Sequence, residues 1–201
     1  MAELAILIPV KQFGAAKERL RLGGVRDVTE LARSLAENVI LASAPRHVIV
    51  LTESDEVSEF AGRLGVEVFH SAAASLNEAV SLAYRTLGPR FDSVAIVHGD
   101  LARPEGLGRF EPSSGVTIVT DRHQRGTNVL VLPSGLDFRF AYGIDSKDRH
   151  QHEALRLELS CQVIVDSPWA LDIDEPDDID LSLETIRGGP EAPSNARPRA
   201  D

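Results

Sequence analysis

The sequence predicts a single α/β domain in which a mostly parallel sheet lies between two layers of helices. Short apolar, β-branched runs alternate with helical patterns along the first half of the chain, an order typical of three-layer α/β folds. The chain has 201 residues, of which 43% are hydrophobic, and this is enough for one substantial core. Ligands of such sheets bind outside the carboxyl ends of the strands, so we expect functional residues there.

Seven apolar runs predict the strands, because each run is short and ends in a polar or glycine-containing loop. They cover residues 4–10, 47–52, 66–69, 93–98, 115–120, 127–132 and 162–166. The helical patterns between the first strands begin at residues suited to a helix N-cap, namely Thr29, Ser54 and Ser75. Gly65 is expected to end the second helix, a later helix covers 146–160, and Pro176 fits the first turn of a closing helix.

The predicted domain covers residues 1–186. The remaining residues, 187–201, are rich in Pro, Gly and small polar residues and contain nothing to bury. This composition predicts a disordered tail.

Charge and cysteine content narrow the classes of function. The net charge of -10 disfavours binding to nucleic acid or to an anionic membrane surface, because both need a basic footprint. A single cysteine, Cys161, excludes an intramolecular disulfide and a cysteine-based zinc site. The sequence has no secretory signature and no apolar run as long as a membrane span. We interpret the chain as a cytoplasmic domain of the size of a small enzyme.

Three cations follow the first predicted strand. The apolar run 6–10 leads to Lys11, and Lys17 and Arg19 lie in the loop beyond it. Cations at one sheet edge can neutralise phosphate oxygens through charge-assisted hydrogen bonds, so a nucleotide is the first ligand that the sequence indicates. A basic loop that serves only solubility is an equally weighted alternative.

Carboxylates follow two other predicted strands. Gly99 and Asp100 follow the run 93–98. At this strand end Asp100 is suited to bind magnesium beside substrate phosphates. A plain Gly-Asp turn explains the dipeptide equally well. Asp172 and Asp174 alternate along an extended segment and therefore point to one face. Two carboxylates on one face repel each other unless a cation or hydrogen bonds offset the repulsion. Asp177 and Asp178 are expected to favour the start of the closing helix.

A polar loop over residues 121–128 and a predicted helix start over 143–146 form two anion-binding candidates. Thr127 and Asn128 supply hydroxyl and amide donors. Gly143 and Ser146 open the helix, whose free N–H groups and serine hydroxyl can hold a phosphate or a carboxylate. An ordinary N-cap is the alternative interpretation of Ser146.

Together these motifs resemble the guanylyltransferases of coenzyme F-420 biosynthesis, which act on 2-phospho-L-lactate, phosphoenolpyruvate or 3-phospho-D-glycerate. The matching segments, in order, are Ile8-Pro-Val-Lys11, Ala16-Lys-Glu-Arg-Leu20, Gly99-Asp-Leu101, Asp121-Arg122, Gly126-Thr-Asn128, Gly143-x-x-Ser146-x-x-x-His150-x-x-x-Ala154 and Asp172-Ile-Asp174-x-Pro176-x-Asp178. The resemblance implies a nucleotidyltransferase fold like that of the molybdenum-cofactor guanylyltransferases.

The resemblance also implies roles for the candidate residues. GTP and a phosphorylated three-carbon acid would be the substrates. Asp100, Asp172 and Asp174 would hold Mg²⁺, and Thr127, Gly143 and Ser146 would hold the acid. Lys11, Lys17 and Arg19 would bind the β- and γ-phosphates, with Lys11, Lys17 and Asp100 as catalytic residues. The loop 71–77, through Asn77, would contact the base, although Asn77 could equally be a helix-start residue. His150 would form a hydrogen bond near the acid.

Departures from the family pattern concern the acceptor. Ala102 replaces a usual proline, Arg125 a usual glycine, and Lys147 a usual apolar residue. Acceptor identity therefore stays open, with phosphoenolpyruvate expected first, 3-phosphoglycerate second and 2-phospholactate third. Two other functions remain as alternatives: a nucleotidyltransferase for a sugar phosphate or molybdopterin, and a non-catalytic nucleotide-binding subunit. A homodimer and a docked downstream transferase of the same pathway are both compatible with the sequence.

Overall fold

The computed structural model describes residues 3–187. Within this range seven strands form one sheet, in the order β3-β2-β1-β4-β6-β5-β7. The strands are β1 Leu4–Pro9, β2 His47–Thr52, β3 Glu67–His70, β4 Ser93–Val97, β5 Val116–Thr120, β6 Thr127–Pro133 and β7 Cys161–Ile164. β6 runs antiparallel to both of its neighbours, β4 and β5, and every other pairing in the sheet is parallel.

Six α-helices accompany the sheet in the described part of the chain. They are α1 Glu18–Leu22, α2 Val28–Ala42, α3 Asp55–Arg63, α4 Leu76–Leu87, α5 Ser146–Arg156 and α6 Pro176–Arg187. Short 3-10 helices lie at Leu107–Arg109 and Pro168–Ala170. In residues 3–187 no helix combines the length and apolar character needed to cross a membrane.

The described residues form three core clusters, and the two large ones lie on opposite faces of the sheet. Alternate residues of β1 point to opposite faces, so Ile6 and Ile8 belong to one cluster while Ala5 and Leu7 belong to the other. The first cluster packs against α2 and α3, and the second packs against α4 and α5. The predicted three-layer α/β architecture with a mostly parallel sheet is therefore confirmed.

Several boundaries differ from the sequence prediction. Asp27, not Thr29, precedes α2, so Thr29 lies inside the first turn of that helix. The helix predicted over 146–160 ends at Arg156, and the last strand is Cys161–Ile164 instead of 162–166. Ser75 caps α4 as predicted, since its side chain accepts a hydrogen bond from the Glu78 N–H. Of the predicted tail 187–201, only Arg187 belongs to the described residues, where it ends α6.

Candidate active site

A cavity of about 480 Å³ opens at the carboxyl ends of β1 and β4. Its lining includes the three cations that follow β1 and two of the carboxylates that the sequence singled out: Lys11, Lys17, Arg19, Asp100 and Asp174. The structure therefore brings together, at one sheet edge, the candidate phosphate ligands and candidate metal ligands.

Gly99 allows this edge to close tightly. A Cβ atom at this position would lie 3.3 Å from the Pro9 carbonyl oxygen and 3.3 Å from Cγ2 of Val10. A side chain here would be in tight contact and would require its neighbours to shift by a few tenths of an ångström. Glycine therefore favours this close approach, and the following residue, Asp100, lines the cavity.

Lys17 is the most enclosed of the three cations, with only 7% of its side chain exposed. Its ammonium group donates hydrogen bonds to the Asp100 carboxylate and, over 2.8 Å, to Asp174 Oδ1. Burial alone would lower the pKa of Lys17, but the two carboxylate charges outweigh it and raise the pKa above its ordinary value. Lys17 is therefore a fixed positive charge within the carboxylate cluster.

Lys11 and Arg19 keep their side chains accessible. Lys11 is exposed at the rim of the cavity. Arg19 lies in the short helix α1, which the sequence analysis interpreted as loop, and 71% of its side chain is exposed. Its Nη1 forms an ion pair with Glu175 Oε1 over 3.3 Å. Such an exposed pair is weak because solvent screens it, so Arg19 can still bind an incoming anion.

Asp172 is positioned by strand-like pairing and by a side-chain amide. A β-bridge joins its backbone to Leu101, and Asn128 Nδ2 donates to Asp172 Oδ1 over 3.2 Å. Burial, followed by the negative charge of Asp100, raises the pKa of Asp172 to about 6. The same Asn128 amide donates to the Trp169 carbonyl, so Asn128 holds the carboxylate segment and is not free to bind an acceptor.

The pKa of Asp174 is shifted in the opposite direction to that of Asp172. Burial would raise its pKa, but the positive charge of Lys17 outweighs that effect and lowers the pKa below its ordinary value. Its backbone N–H donates to Asp178 Oδ2 over 2.9 Å, and the Glu175 N–H donates to the same oxygen over 2.7 Å. Asp178 is buried and also forms an ion pair with Arg122 over 2.9 Å. The helix-start role predicted for Asp178 is thus confirmed, and it fixes the Asp174 backbone.

The donor set fits a divalent cation. His98, Asp100 and Asp172 each offer a ligand atom, and these three atoms lie within 4.8 Å of one another. Asp100 Oδ1 and His98 Nε2 are buried without a hydrogen-bond partner in the described part of the chain. Carboxylate oxygens are the donors that hard cations prefer. His98 shows no metal-ligand spacing along the chain, so only its position in space indicates a ligand role.

The acceptor candidates meet at the amino end of β6. Because β6 is antiparallel, its first residue lies at the same sheet edge as the carboxyl end of β4. Thr127 and Ser146 are both buried, and the Ser146 hydroxyl donates to Thr127 Oγ1 over 3.3 Å. Gly143 has a φ of 117°, a conformation that side chains rarely adopt, and its carbonyl accepts from the Ser146 N–H.

Asn77 lies at the start of α4 with both ends of its amide in use. Its Oδ1 accepts from the Tyr142 N–H over 2.7 Å, and its Nδ2 donates to the Tyr142 carbonyl over 3.3 Å. The structure therefore gives Asn77 the task of holding the segment before Gly143. Contact between Asn77 and a nucleotide base stays a prediction.

The two additional cations near the acceptor residues are already paired. Arg125 Nε lies 2.8 Å from Asp145 Oδ1, and Lys147 Nζ lies 2.7 Å from Asp148 Oδ1. Arg125 also accepts, through its carbonyl, a hydrogen bond from the Lys147 N–H. The contacts of Arg125 tie the loop before β6 to the start of α5.

Residues 4–190 match the family described as guanylyl transferase CofC like. The chain belongs to this family. A phosphoenolpyruvate guanylyltransferase of Conexibacter woesei is 35% identical over an alignment of 216 positions, gaps included, which covers 94% of this chain and 92% of that protein. A 3-phospho-D-glycerate guanylyltransferase of Colwellia psychrerythraea is 33% identical over 142 residues, which span 67% of each protein.

Solved structures share the fold at low identity. A protein of Desulfovibrio desulfuricans G20, assigned as a nucleotide-diphospho-sugar transferase, superposes with a TM-score of 0.72 at 16% identity, covering 94% of this chain and 90% of that chain. A nucleotidyl transferase of Methanothermobacter thermautotroptrophicus gives a TM-score of 0.65 at 15% identity, covering 93% and 99%. The CofC-like chain thus has a nucleotidyltransferase fold.

Proposed function

We propose that this protein transfers GMP from GTP to a phosphorylated three-carbon acid and releases pyrophosphate. The product, a guanosine diphospho-acid, would be an activated donor for coenzyme F-420 assembly. The observation that carries this proposal is the convergence of Lys17, Asp100 and Asp174 in one cavity at the sheet edge. Family membership and the names of the relatives support guanylyl transfer.

The cavity is the proposed site of the GTP phosphates. Lys11 and Arg19 have accessible side chains at its lining and would bind the β- and γ-phosphates. Lys17, whose charge is fixed, would neutralise the pyrophosphate as it leaves. The loop 71–77 is the proposed contact for the base, with Asn77 as its residue in α4.

Mg²⁺ is the proposed cofactor, held by Asp100, Asp172 and Asp174. When bound, it would neutralise charge on the reacting phosphates and orient the two substrates. Asn128 would keep Asp172 directed at the site, and Asp178 would do the same for the backbone of Asp174. The unpartnered Asp100 Oδ1 supports this assignment, because a buried carboxylate oxygen without a donor is costly.

Thr127, Gly143 and Ser146 are the proposed acceptor site. The acceptor's phosphate oxygen is anionic at neutral pH, so it can attack the α-phosphorus of GTP without a protein nucleophile. The bond between this oxygen and the α-phosphorus forms while the bond to the β-phosphate bridging oxygen breaks. The residues of the site would hold the two substrates in line and stabilise the developing charge.

Phosphoenolpyruvate is the proposed acceptor, ahead of 3-phosphoglycerate and 2-phospholactate. Its phosphate and carboxylate lie on adjacent carbons and fit two neighbouring donor groups, Thr127 and the Gly143–Ser146 helix start. The relative from Conexibacter woesei carries the name of a phosphoenolpyruvate guanylyltransferase.

The test offers all three acids at equal concentration with GTP and Mg²⁺. Pyrophosphate release is measured, and the guanylylated products are separated and identified by mass. We expect the phosphoenolpyruvate product to dominate, and replacement of GTP by ATP or CTP to abolish most of the release. Product from a sugar phosphate but from none of the three acids would overturn the proposed function, and exclusive use of 2-phospholactate would overturn the acceptor assignment alone.

A further inference from the structure

His150, on α5 one helical turn after Ser146, is fully buried and uses both ring nitrogens in hydrogen bonds. Nδ1 lies 3.1 Å from Thr127 Oγ1. Nε2 lies 3.0 Å from the backbone nitrogen of Ala141. The ring therefore joins the proposed acceptor residue Thr127 to the segment that leads to Gly143.

The contact with Ala141 determines where the ring proton lies. A backbone N–H can only donate, so Nε2 must accept and cannot carry a proton. A neutral imidazole whose Nε2 carries no proton has its proton on Nδ1. It follows that Nδ1–H donates and Thr127 Oγ1 accepts.

This direction constrains the threonine hydroxyl. Thr127 Oγ1 accepts from His150 and also from the Ser146 hydroxyl over 3.3 Å. A hydroxyl oxygen has two acceptor lone pairs, and both are then used. The proton of the Thr127 hydroxyl is left to donate in a third direction.

The surroundings keep the ring in this state. The Tyr142 ring packs edge-on against His150 with the centroids 4.9 Å apart, and the Phe138 ring lies 5.9 Å away. Burial, with the nearby charges of His98 and Arg149, lowers the pKa of His150 to about 4. The neutral ring, which the Ala141 hydrogen bond requires, is thus the stable form at neutral pH.

We propose that His150 is a positioning residue that, through Nδ1–H, directs the Thr127 hydroxyl to donate to an anionic oxygen of the phosphorylated acid. The proposal rests on the proposed function, because Thr127 is the acceptor ligand there. His150 itself does not touch the substrate. Loss of its hydrogen bonds would let the threonine hydroxyl rotate towards an internal acceptor, and the acid would then lose a correctly oriented donor.

The first test compares His150→Phe, which removes both ring nitrogens, with His150→Gln, whose amide offers a donor and an acceptor. We expect His150→Phe to raise the KM for phosphoenolpyruvate about tenfold or more while the KM for GTP stays unchanged, the size expected for one lost hydrogen bond to a charged group. His150→Gln should recover much of that loss. An equal rise in both KM values would overturn the proposal and indicate a merely structural role.

A double-mutant cycle tests the path through Thr127. In the Thr127→Val background the threonine hydroxyl is already absent, so His150→Phe should add little to the KM for the acid. A full additional effect in that background would show that His150 acts by another route. If Thr127→Val alone leaves the KM for the acid unchanged, the acceptor site of the proposed function is wrong. This result is distinguishable from a full effect of His150→Phe in the Thr127→Val background, which would contradict only the role of His150.

NMR of the wild-type protein tests the tautomer without any variant. A long-range ¹H–¹⁵N spectrum of the histidine rings should show His150 protonated at Nδ1 and unprotonated at Nε2 at neutral pH. A proton on Nε2 would overturn the proposed hydrogen-bond direction even if the enzyme performs guanylyl transfer. This measurement stays decisive if His150→Phe does not fold.

Discussion

Lys17 Nζ lies 2.8 Å from Asp174 Oδ1, although 157 positions separate the two residues in the chain. The pair joins the loop after β1 to the segment before α6, across the cavity at the carboxyl ends of the central strands. The same ammonium group also binds Asp100. A cation proposed for phosphate binding thus lies between two of the three carboxylates proposed for metal binding, Asp100 and Asp174.

This arrangement predicts two opposite effects of Lys17→Ala. Removal of the phosphate-binding cation should raise the KM for GTP about tenfold or more, because a charge-assisted hydrogen bond is lost. Removal of the competing positive charge should strengthen binding of Mg²⁺ or Mn²⁺ to the nucleotide-free enzyme. Steady-state kinetics and titration calorimetry measure the two effects. Lys147→Ala serves as the control for the GTP KM, and weaker metal binding by Lys17→Ala would contradict the prediction.

The carboxylates give a second prediction. Asp100→Asn, Asp172→Asn and Asp174→Asn should each lower kcat about a hundredfold or more, because each removes one negative charge from the proposed metal site. Asp177→Asn is the matched control, since this residue is exposed in the first turn of α6. Circular dichroism should show that all four variants are folded. Near-wild-type turnover of folded Asp172→Asn would refute the metal assignment.

A third prediction separates the acceptor from the nucleotide. Ser146→Ala should raise the Kd for the phosphorylated acid about fivefold and leave the Kd for GTP unchanged, because it removes the hydroxyl that donates to Thr127 Oγ1 in the acceptor site. Thr86→Val is the control, because this exposed hydroxyl on α4 bonds only to its own helix at Leu82. Calorimetry of each ligand alone decides the matter. A defect of Ser146→Ala in GTP binding alone would reverse the assignment of the two subsites.

The fourth prediction concerns stability at acidic pH. The pKa of His150 is about 4 in the folded protein, against an ordinary value of 6.5. A lowered pKa contributes stability that is complete above pH 6.5 and is lost as the pH falls towards 4. Between pH 7.5 and 4.5 the wild type should therefore lose about 2 to 3 kcal/mol more unfolding free energy than His150→Gln, which does not titrate. The charged groups that act on His150 are His98, Arg149 and Glu153, and both proteins share them.

Urea unfolding at the two pH values measures this difference. Since the common groups titrate in both proteins, the comparison isolates the contribution of His150. Parallel pH profiles for the wild type and His150→Gln would show that the buried ring is not responsible.

Much of the site could be predicted because it follows directly from strand ends. Lys11 comes two residues after β1, and Asp100 comes three residues after β4. In a parallel sheet these positions fall at one edge whatever the rest of the fold does. Local periodicity also identified all seven strands to within a few residues, because each buried strand is a short apolar run between polar loops.

Other features needed contacts between distant segments. The partners of Asn77 and Asn128 are backbone and side-chain groups of Tyr142, Trp169 and Asp172, and no local pattern indicates them. The same holds for His98, which has no ligand spacing along the chain but lies with Asp100 and Asp172 in space.

Local patterns of apolar and polar residues specify the α/β class, the strands and the charged residues at the strand ends. Packing of the whole chain makes β6 antiparallel, which places Thr127 at the same sheet edge as the carboxyl end of β4. Parallel and antiparallel strands have the same two-residue side-chain period, so strand direction cannot be read from the alternation. Packing of the whole chain also places Lys17 between two carboxylates, because Lys17, Asp100 and Asp174 are far apart in the sequence.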